Sequence, residues 1–177
     1  QSLESLGGYL NAFTTKEQPC FYARVLDEHV GQAVDVLSDL VQHATFKPEE
    51  LEKEKLVVIE ELKNAEDDPE DIIHDYFEKA LFPNHSIGFP IIGTEANLRT
   101  FTRTDLQIHV ADHYTASNMV VAAAGNINHV ELVHLVEKYL DRVPPASDRA
   151  PRVQASGRSA KGIAQEYSRQ IQQAHVC

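Results

Sequence analysis

The chain has 177 residues, of which 42% are hydrophobic and 24% charged, and its formal net charge at pH 7 is −11. This length suffices for one globular domain with a hydrophobic core. The acidic balance argues against nucleic-acid binding, which needs clustered Lys and Arg, and it favours basic partners. No apolar run reaches membrane-spanning length, which argues against a membrane partner, and the first residues lack the features of a signal peptide.

The cysteines and the two ends of the chain give further information. Cys20 and Cys177 form neither a disulfide framework nor a Cys-x-x-Cys zinc pair, so the cytoplasm, the periplasm and the mitochondrial matrix are all compatible with them. The chain does not begin with Met, and it stops where Ala174 and Val176 predict the start of a strand. We therefore expect it to be a fragment of a longer protein.

The chain opens with two predicted strands and a helix. Alternating side chains within residues 7–15 and 20–26 predict an antiparallel strand pair. Asp27 is the predicted cap of the next helix, because apolar side chains recur over residues 30–44 with the spacing of one helical face.

Helices dominate the middle of the sequence. Residues 48–65 predict one helix, and Asp68 is the predicted cap of another over residues 69–81. Pro and Gly then punctuate residues 82–98, which predicts a long loop. Loops of this length are more often functional or structured by contacts than idle.

The last third combines a helix, an apolar run and a second helix. After the predicted helix at 103–113, the apolar residues 118–127 predict a central strand that is buried on both faces. Asn128 and Glu131 form a capping box for the helix that follows. Residues 144–160 are rich in Pro, Ser and Ala, which is typical of a surface connection.

The order of these elements predicts an α+β fold. We expect a mostly antiparallel sheet with helices packed on one face, in one incomplete domain that covers residues 1–177. Neither a Gly-x-Gly-x-x-Gly motif nor a phosphate-binding loop occurs, so nucleotide binding has no support.

The helix over residues 51–65 carries the most informative side chains. Glu54 and Glu61 are seven positions apart and therefore point within about 20° of each other. Apolar side chains flank them on the helical wheel, which predicts two carboxylates on a buried face. Such a face needs a cation, a metal or hydrogen-bond donors to compensate the carboxylates. The alternative is a tilted helix whose glutamates reach water or pair with Arg and Lys from elsewhere.

The nine histidines prompt a search for metal ligands. His109 and His113 stand at i and i+4 of a helix, which is the spacing of zinc-binding helices. The same face carries Leu106, Val110 and Tyr114. That composition favours half-buried core histidines over ligands. His129 and His134 diverge by about 140° around their helix, and His85 is predicted to hydrogen bond its own loop.

Four motifs in a fixed order carry a family resemblance. They are GGYLNAFTTKEQPCFYARV, EKEKLVVIEELKNAEDDPED, FPNHSIGFPIIGT and DHYTASNMVVAAAGNI. Together, over about residues 2–143, they resemble the insulinase/pitrilysin family of zinc peptidases, which includes the mitochondrial processing peptidases. The resemblance implies a fold like that of one half of such a peptidase, and cleavage of peptides by zinc-activated water.

The resemblance also implies roles for individual residues. The family binds zinc through two histidines of an inverted His-x-x-Glu-His motif and through a later glutamate, which Glu61 matches. Glu54 matches a second acid that supports the site from outside the ligand shell. Asn11, Ala12 and Phe13 match the edge strand along which the substrate peptide lies.

One departure from the family pattern limits the expected activity. Residues 1–60 contain no His-x-x-Glu-His motif, so the sequence holds one zinc ligand and no general base. We expect a piece of the zinc-bearing half of a peptidase that is inactive alone, with a second homologous half or subunit and a basic peptide as partners. The alternative is a non-catalytic scaffold or partner subunit of the same fold, as in the core proteins of respiratory complexes.

Overall fold

A computed structural model describes residues 3–145, 153–155, 162, 164, 166–168 and 176. The chain divides into two compact units. The first unit is formed by segments 1–47 and 102–150, and the second by segments 48–101 and 151–177. Most of the predicted connection at 144–160 and the predicted strand start at Ala174 lie outside the described residues.

The first unit contains an antiparallel strand pair. β1 (Tyr9–Thr14) pairs with β2 (Pro19–Arg24) in a register that sets Asn11 opposite Tyr22. The connecting turn is closed by the backbone N–H of Thr15, which donates to the carbonyl oxygen of Gln18 at 2.9 Å. The predicted α+β class with antiparallel pairing is confirmed, and the sheet has two strands among the described residues.

The helices of the described residues, in chain order, are α1 (Val30–Gln42), α2 (Pro48–Asp67), α3 (Pro69–Leu81), α4 (Glu95–Thr100), α5 (Arg103–His113) and α6 (His129–Tyr139). All except α4 match predicted helices. Thr94 starts α4 within the predicted loop, because its hydroxyl accepts the N–H of Asn97 at 3.3 Å. In the part of the chain that the structure describes, no helix is long and apolar enough to cross a bilayer.

Two helices and a strand pack together in the first unit. α1 contacts both α6 and β2, and Ala33 of α1 is 7% exposed. At the far end of α1, the Gln42 side chain donates from Nε2 to the carbonyl oxygen of Tyr139 at 2.6 Å. Its Oε1 accepts the backbone N–H of Arg142 at 3.1 Å. The ends of α1 and α6 are therefore joined.

Asp27 does not cap α1 as predicted. Residues Asp27–His29 form a 3-10 turn ahead of the helix, and Asp27 accepts hydrogen bonds from the backbone N–H of Glu28 and from the side chain of Asn126. Asn128, in contrast, caps α6, because its Oδ1 accepts the N–H groups of Val130 and Glu131. This is the Asn128 half of the predicted capping box.

The predicted central strand at 118–127 is wrong. Most of its apolar side chains are exposed, with Val120 at 93% and Val121 at 49% of their full accessibility. An extended segment becomes a buried strand only where neighbouring strands take up its backbone N–H and C=O groups. Among the described residues only β1 and β2 pair with each other.

The second unit is helical in its described part. α2 packs against α3 and α4, and the side chains that it buries most deeply are Ile59 and Leu62. Asp68 caps α3 as predicted, because its Oδ1 accepts the N–H of Glu70 at 2.9 Å. A 3-10 turn at Ser86–Gly88 then packs against α3.

Candidate metal-binding and peptide-binding residues

Glu54 and Glu61 lie on the exposed side of α2. The buried side is marked by Ile59 and Leu62, which are 3% and 8% exposed. Both glutamates lie roughly 120° around the helix from the direction midway between these two side chains. The predicted position of the two carboxylates within a buried face is therefore wrong, because burial of Ile59 turns the apolar face of α2 away from them.

The lysines of α2 form ion pairs with other glutamates of the same helix. The pairs and their Nζ to Oε1 distances are Lys53–Glu50 at 2.9 Å, Lys55–Glu52 at 2.7 Å and Lys63–Glu60 at 2.6 Å. Within the described ranges, no cationic side chain pairs with Glu54 or Glu61. These two carboxylates can therefore accept a cation from outside the described residues.

The spacing of the two carboxylates limits how they could bind one metal ion. Seven residues of α-helix separate their Cα atoms by about 10.5 Å, whereas zinc–oxygen bonds are about 2.0–2.2 Å long. The two carboxylates could share one ion only if both side chains extended towards each other along the helix. No group of three or more His, Cys, Asp or Glu side chains in the described part of the chain could hold a metal. These residues fit one ligand of a zinc site, not the whole site.

Asn11, Ala12 and Phe13 lie exposed in β1. With two strands in the described sheet, β1 pairs along one edge and its other edge has no partner strand among those residues. Asn11 bonds locally, with Nδ2 donating to the Tyr9 hydroxyl and Oδ1 accepting the N–H of Ala12 at 2.8 Å. The N–H of Ala12 points to the opposite edge, so a strand added there must displace the Asn11 side chain from it.

An aromatic surface covers one face of the strand pair. The ring of Tyr22 lies 6.1 Å from that of Tyr9 and 6.0 Å from that of Phe13, between centroids. The hydrogen bond with Tyr9 is the main cause that raises the pKa of Tyr22 above its ordinary value. Alternation along a strand puts Tyr9 and Phe13 on one side of β1, whereas the position of Tyr22 between them depends on the register with β2.

The predicted site residues fall into two groups. Asn11, Ala12 and Phe13 belong to the first unit, whereas Glu54 and Glu61 belong to the second. The two glutamates share one face of one helix, and the three strand residues are consecutive. The structure therefore brings the residues together within each group.

His109 and His113 are both exposed on α5, so the prediction of half-buried core histidines is wrong. Val110 marks the half-buried side of α5 and lies about 100° from His109 around the helix. The two imidazole rings stack, with centroids 4.4 Å apart and planes inclined by 19°. Partial desolvation lowers the pKa of His109 from its ordinary value, and the charge of His113 lowers it further.

His85 hydrogen bonds its own loop as predicted, and it also contacts a backbone carbonyl 68 positions later. Its Nδ1 accepts the N–H of Ile87 at 3.2 Å, and its Nε2–H donates to the carbonyl oxygen of Val153 at 2.9 Å. Both ring nitrogens are therefore engaged by the backbone, which leaves no free nitrogen for a metal.

Two protein-family models of one peptidase family together match nearly the whole chain. The model described as "Insulinase (Peptidase family M16)" matches residues 1–95, and the model described as "Peptidase M16 inactive domain" matches residues 100–177. The chain belongs to the insulinase family. The resemblance carried by the four sequence motifs is thereby confirmed.

Relatives within the insulinase family are longer than this chain. An uncharacterized zinc protease of Bacillus subtilis, YmxG, is 41% identical over 177 residues, which is 100% of this chain and 42% of that protein. The beta subunit of the mitochondrial-processing peptidase of Blastocladiella emersonii is 34% identical over 84% of this chain and 32% of that protein. A solved protease structure from Helicobacter pylori superposes with a TM-score of 0.79 at 18% identity, over 88% of this chain and 38% of that one. The chain thus spans less than half the length of each of these three proteins.

Proposed function

We propose that this chain is part of a zinc metalloendopeptidase that cleaves peptides or unfolded protein segments. The main support is the pair of glutamates on α2, which are exposed on one helical face and have no cationic partner among the described residues. The resemblance to the insulinase family implies a role in zinc binding for such a pair. In this proposal Glu61 is a zinc ligand, and Glu54 is a positioning residue that supports the site.

The chemistry divides between this chain and residues outside it. Zinc, when bound, would act as a Lewis acid that activates water for attack on a peptide carbonyl. Glu61 contributes an anionic oxygen ligand. Glu54 lies about 10.5 Å away along the helix and acts through intervening groups that orient the ligands. The two histidine ligands and the general base are expected in an upstream His-x-x-Glu-His motif, so the 177-residue chain alone should not cleave peptides.

In this proposal, the substrate peptide binds along β1. An extended peptide adds a strand to a free sheet edge through main-chain hydrogen bonds, which depend little on its sequence. The edge of β1 at Asn11, Ala12 and Phe13 has no partner strand among the described residues, and it offers such a template once Asn11 releases the N–H of Ala12. The net charge of −11 favours a basic peptide, and a second homologous half or subunit would close around it.

The zinc assignment is tested by Glu61→Gln in the full-length protein, with Glu60→Gln as the matched control. Both residues are exposed neighbours on α2, but Glu60 already pairs with Lys63. We expect Glu61→Gln to lose zinc and peptide cleavage, and Glu60→Gln to retain both. We expect Glu54→Gln to weaken zinc binding or activity about 10–100-fold, as is typical of residues behind the ligand shell.

Zinc content by atomic absorption and cleavage of an unstructured basic peptide are the two measurements. If Glu61→Gln keeps both at the wild-type level, Glu61 is not a ligand. If the full-length wild-type protein itself binds no zinc, the protein is a non-catalytic scaffold or partner subunit of this fold.

A further inference from the structure

The exposed histidine pair of α5 is a candidate metal site in its own right. We propose that His109 and His113 chelate a divalent transition-metal ion, with Cu²⁺ bound more tightly than Ni²⁺ or Zn²⁺. This pair belongs to the first unit, whereas Glu61 belongs to the second, and the proposal does not depend on a role for Glu61.

The helix holds the two imidazoles at chelating distance. Side chains four residues apart on a helix have Cβ atoms roughly 5–6 Å apart, and here the ring centroids are 4.4 Å apart. A metal–imidazole bond is about 2.0–2.1 Å long, so the two ligand nitrogens of one ion must lie only a few ångströms from each other. The backbone of α5 therefore needs no rearrangement to offer both rings to one ion.

The hydrogen bond of His113 to the backbone fixes a tautomer that can bind a metal ion. Its Nδ1 lies 3.0 Å from the carbonyl oxygen of His109. A carbonyl oxygen can only accept a hydrogen bond, so Nδ1 carries the proton and the lone pair of Nε2 is free. Metal-binding histidines commonly donate their second ring N–H to a backbone carbonyl in this way, which fixes the tautomer.

Binding requires one side-chain movement. A bound ion lies in the plane of each imidazole that holds it, and the two planes are now inclined by only 19°. Because His113 is held by its hydrogen bond to the backbone, His109 is the ring that must turn. Its χ2 torsion has a broad energy profile, and the side chain is exposed. Rotation of His109 therefore opens the stacked pair towards a common ion.

The ligand set determines which metals should bind. Two imidazole nitrogens suit Cu²⁺, Ni²⁺ and Zn²⁺, and the Irving–Williams order places Cu²⁺ above the other two. Asp112 acts electrostatically on His109 and adds negative charge beside the pair. No third side chain completes a metal cluster in the described part of the chain. Water must fill the other positions, so the affinity should be lower than that of a structural zinc site.

The test is a Cu²⁺ titration of the full-length protein with its proposed zinc site kept loaded with zinc, so that Cu²⁺ bound elsewhere is measured. A competing chromophoric chelator reports the bound equivalents, and electron paramagnetic resonance reports nitrogen ligands. The variants are His109→Ala and His113→Ala, and the control is His134→Ala, a histidine of α6 whose side chain is 74% exposed. The substituted residues are all exposed, and circular dichroism verifies that each variant is folded.

We expect the wild type and His134→Ala to bind Cu²⁺ with a two-imidazole spectrum, more tightly than Ni²⁺ or Zn²⁺. Each single variant of the pair should bind Cu²⁺ at this site at least about 10-fold more weakly, since it loses a ligand rather than a supporting group. Glu61→Gln should leave this Cu²⁺ site unchanged, which separates this proposal from the zinc assignment. Wild-type Cu²⁺ affinity in His109→Ala or His113→Ala, or tighter binding of Zn²⁺ than of Cu²⁺, overturns the proposal.

Discussion

Asn126 donates a hydrogen bond from Nδ2 to Oδ2 of Asp27, which lies 99 positions earlier in the chain. Asp27 begins the turn that precedes α1, and Asn126 lies just before α6, so this bond joins the starts of two helices that pack against each other. The same bond is the main reason why the pKa of Asp27 lies below its ordinary value. The backbone N–H of Glu28 lowers that pKa further.

The first prediction concerns the pH dependence of this bond. Because the folded protein lowers the pKa of Asp27, the carboxylate contributes stability above the ordinary Asp pKa of about 3.9. That contribution is lost as the pH falls through the lower folded value. We expect Asn126→Ala to reduce the free energy of unfolding at pH 7, and the difference from wild type to shrink as the pH drops below about 4.

Urea unfolding at pH 7 and at stepwise lower pH values measures this difference. Asn97→Ala, at an exposed position of α4, is the control and should lie close to wild type throughout. A difference for Asn126→Ala that stays constant down to the acid limit would show that Asp27 and Asn126 are not linked through the carboxylate.

Local signals in the sequence predict most of the helices and the strand pair. Asp68 and Asn128 cap helices where they were expected, because a cap depends on residues only two or three positions away. The alternation over residues 9–14 and 19–24 likewise reflects pairing across a short turn. Elements defined by near neighbours can therefore be inferred without knowledge of the fold.

Features that depend on distant partners were missed. Asp27 was expected to cap α1, but its bond to Asn126 crosses 99 positions of sequence. The apolar residues of α2 can be arranged into more than one face, and the packing of α3 and α4 selects the face that buries Ile59. The exposed position of Glu61 follows from that choice. The sequence resemblance singled out Glu61 but did not predict its environment.

The second prediction tests which face of α2 is buried. Ile59→Ala removes a side chain that is 3% exposed, so we expect a loss of about 2–5 kcal/mol in the free energy of unfolding. Leu56→Ala, at a position that is 58% exposed on the same helix, is the matched control and should change it by less than about 0.5 kcal/mol. Leu and Ala have similar helix propensities, so burial accounts for the contrast. Equal losses in the two variants would contradict the orientation of α2.

The third prediction compares two glycines. A Cβ atom at Gly88 would collide with the carbonyl oxygen of Phe82 and lie 3.2 Å from that of Glu78. Backbone atoms cannot yield as a flexible side chain can, so Gly88→Ala should destabilise the protein by at least about 1–3 kcal/mol. A Cβ atom at Gly31, in the first turn of α1, would have its nearest contact at 3.8 Å, with Leu135.

Gly31→Ala should therefore stabilise the protein by about 0.5–1 kcal/mol, because alanine loses less conformational freedom in a helix. Thermal unfolding of the two variants beside wild type measures both shifts. A melting temperature for Gly88→Ala at or above that of wild type would show that the 3-10 turn at Ser86–Gly88 does not pack against α3 as described.

The fourth prediction concerns the side chain that joins the ends of α1 and α6. Gln42 donates to the carbonyl oxygen of Tyr139 and accepts from the backbone N–H of Arg142. Each such bond contributes about 0.5–1.5 kcal/mol, so Gln42→Ala should lower the free energy of unfolding by about 1–3 kcal/mol. Gln42→Glu keeps the acceptor but places a carboxylate against the Tyr139 carbonyl, and it should also destabilise, most strongly at neutral pH. Gln107→Ala, at an exposed position of α5, is the control for urea unfolding. A Gln42→Ala variant as stable as that control would mean that this junction does not form in solution.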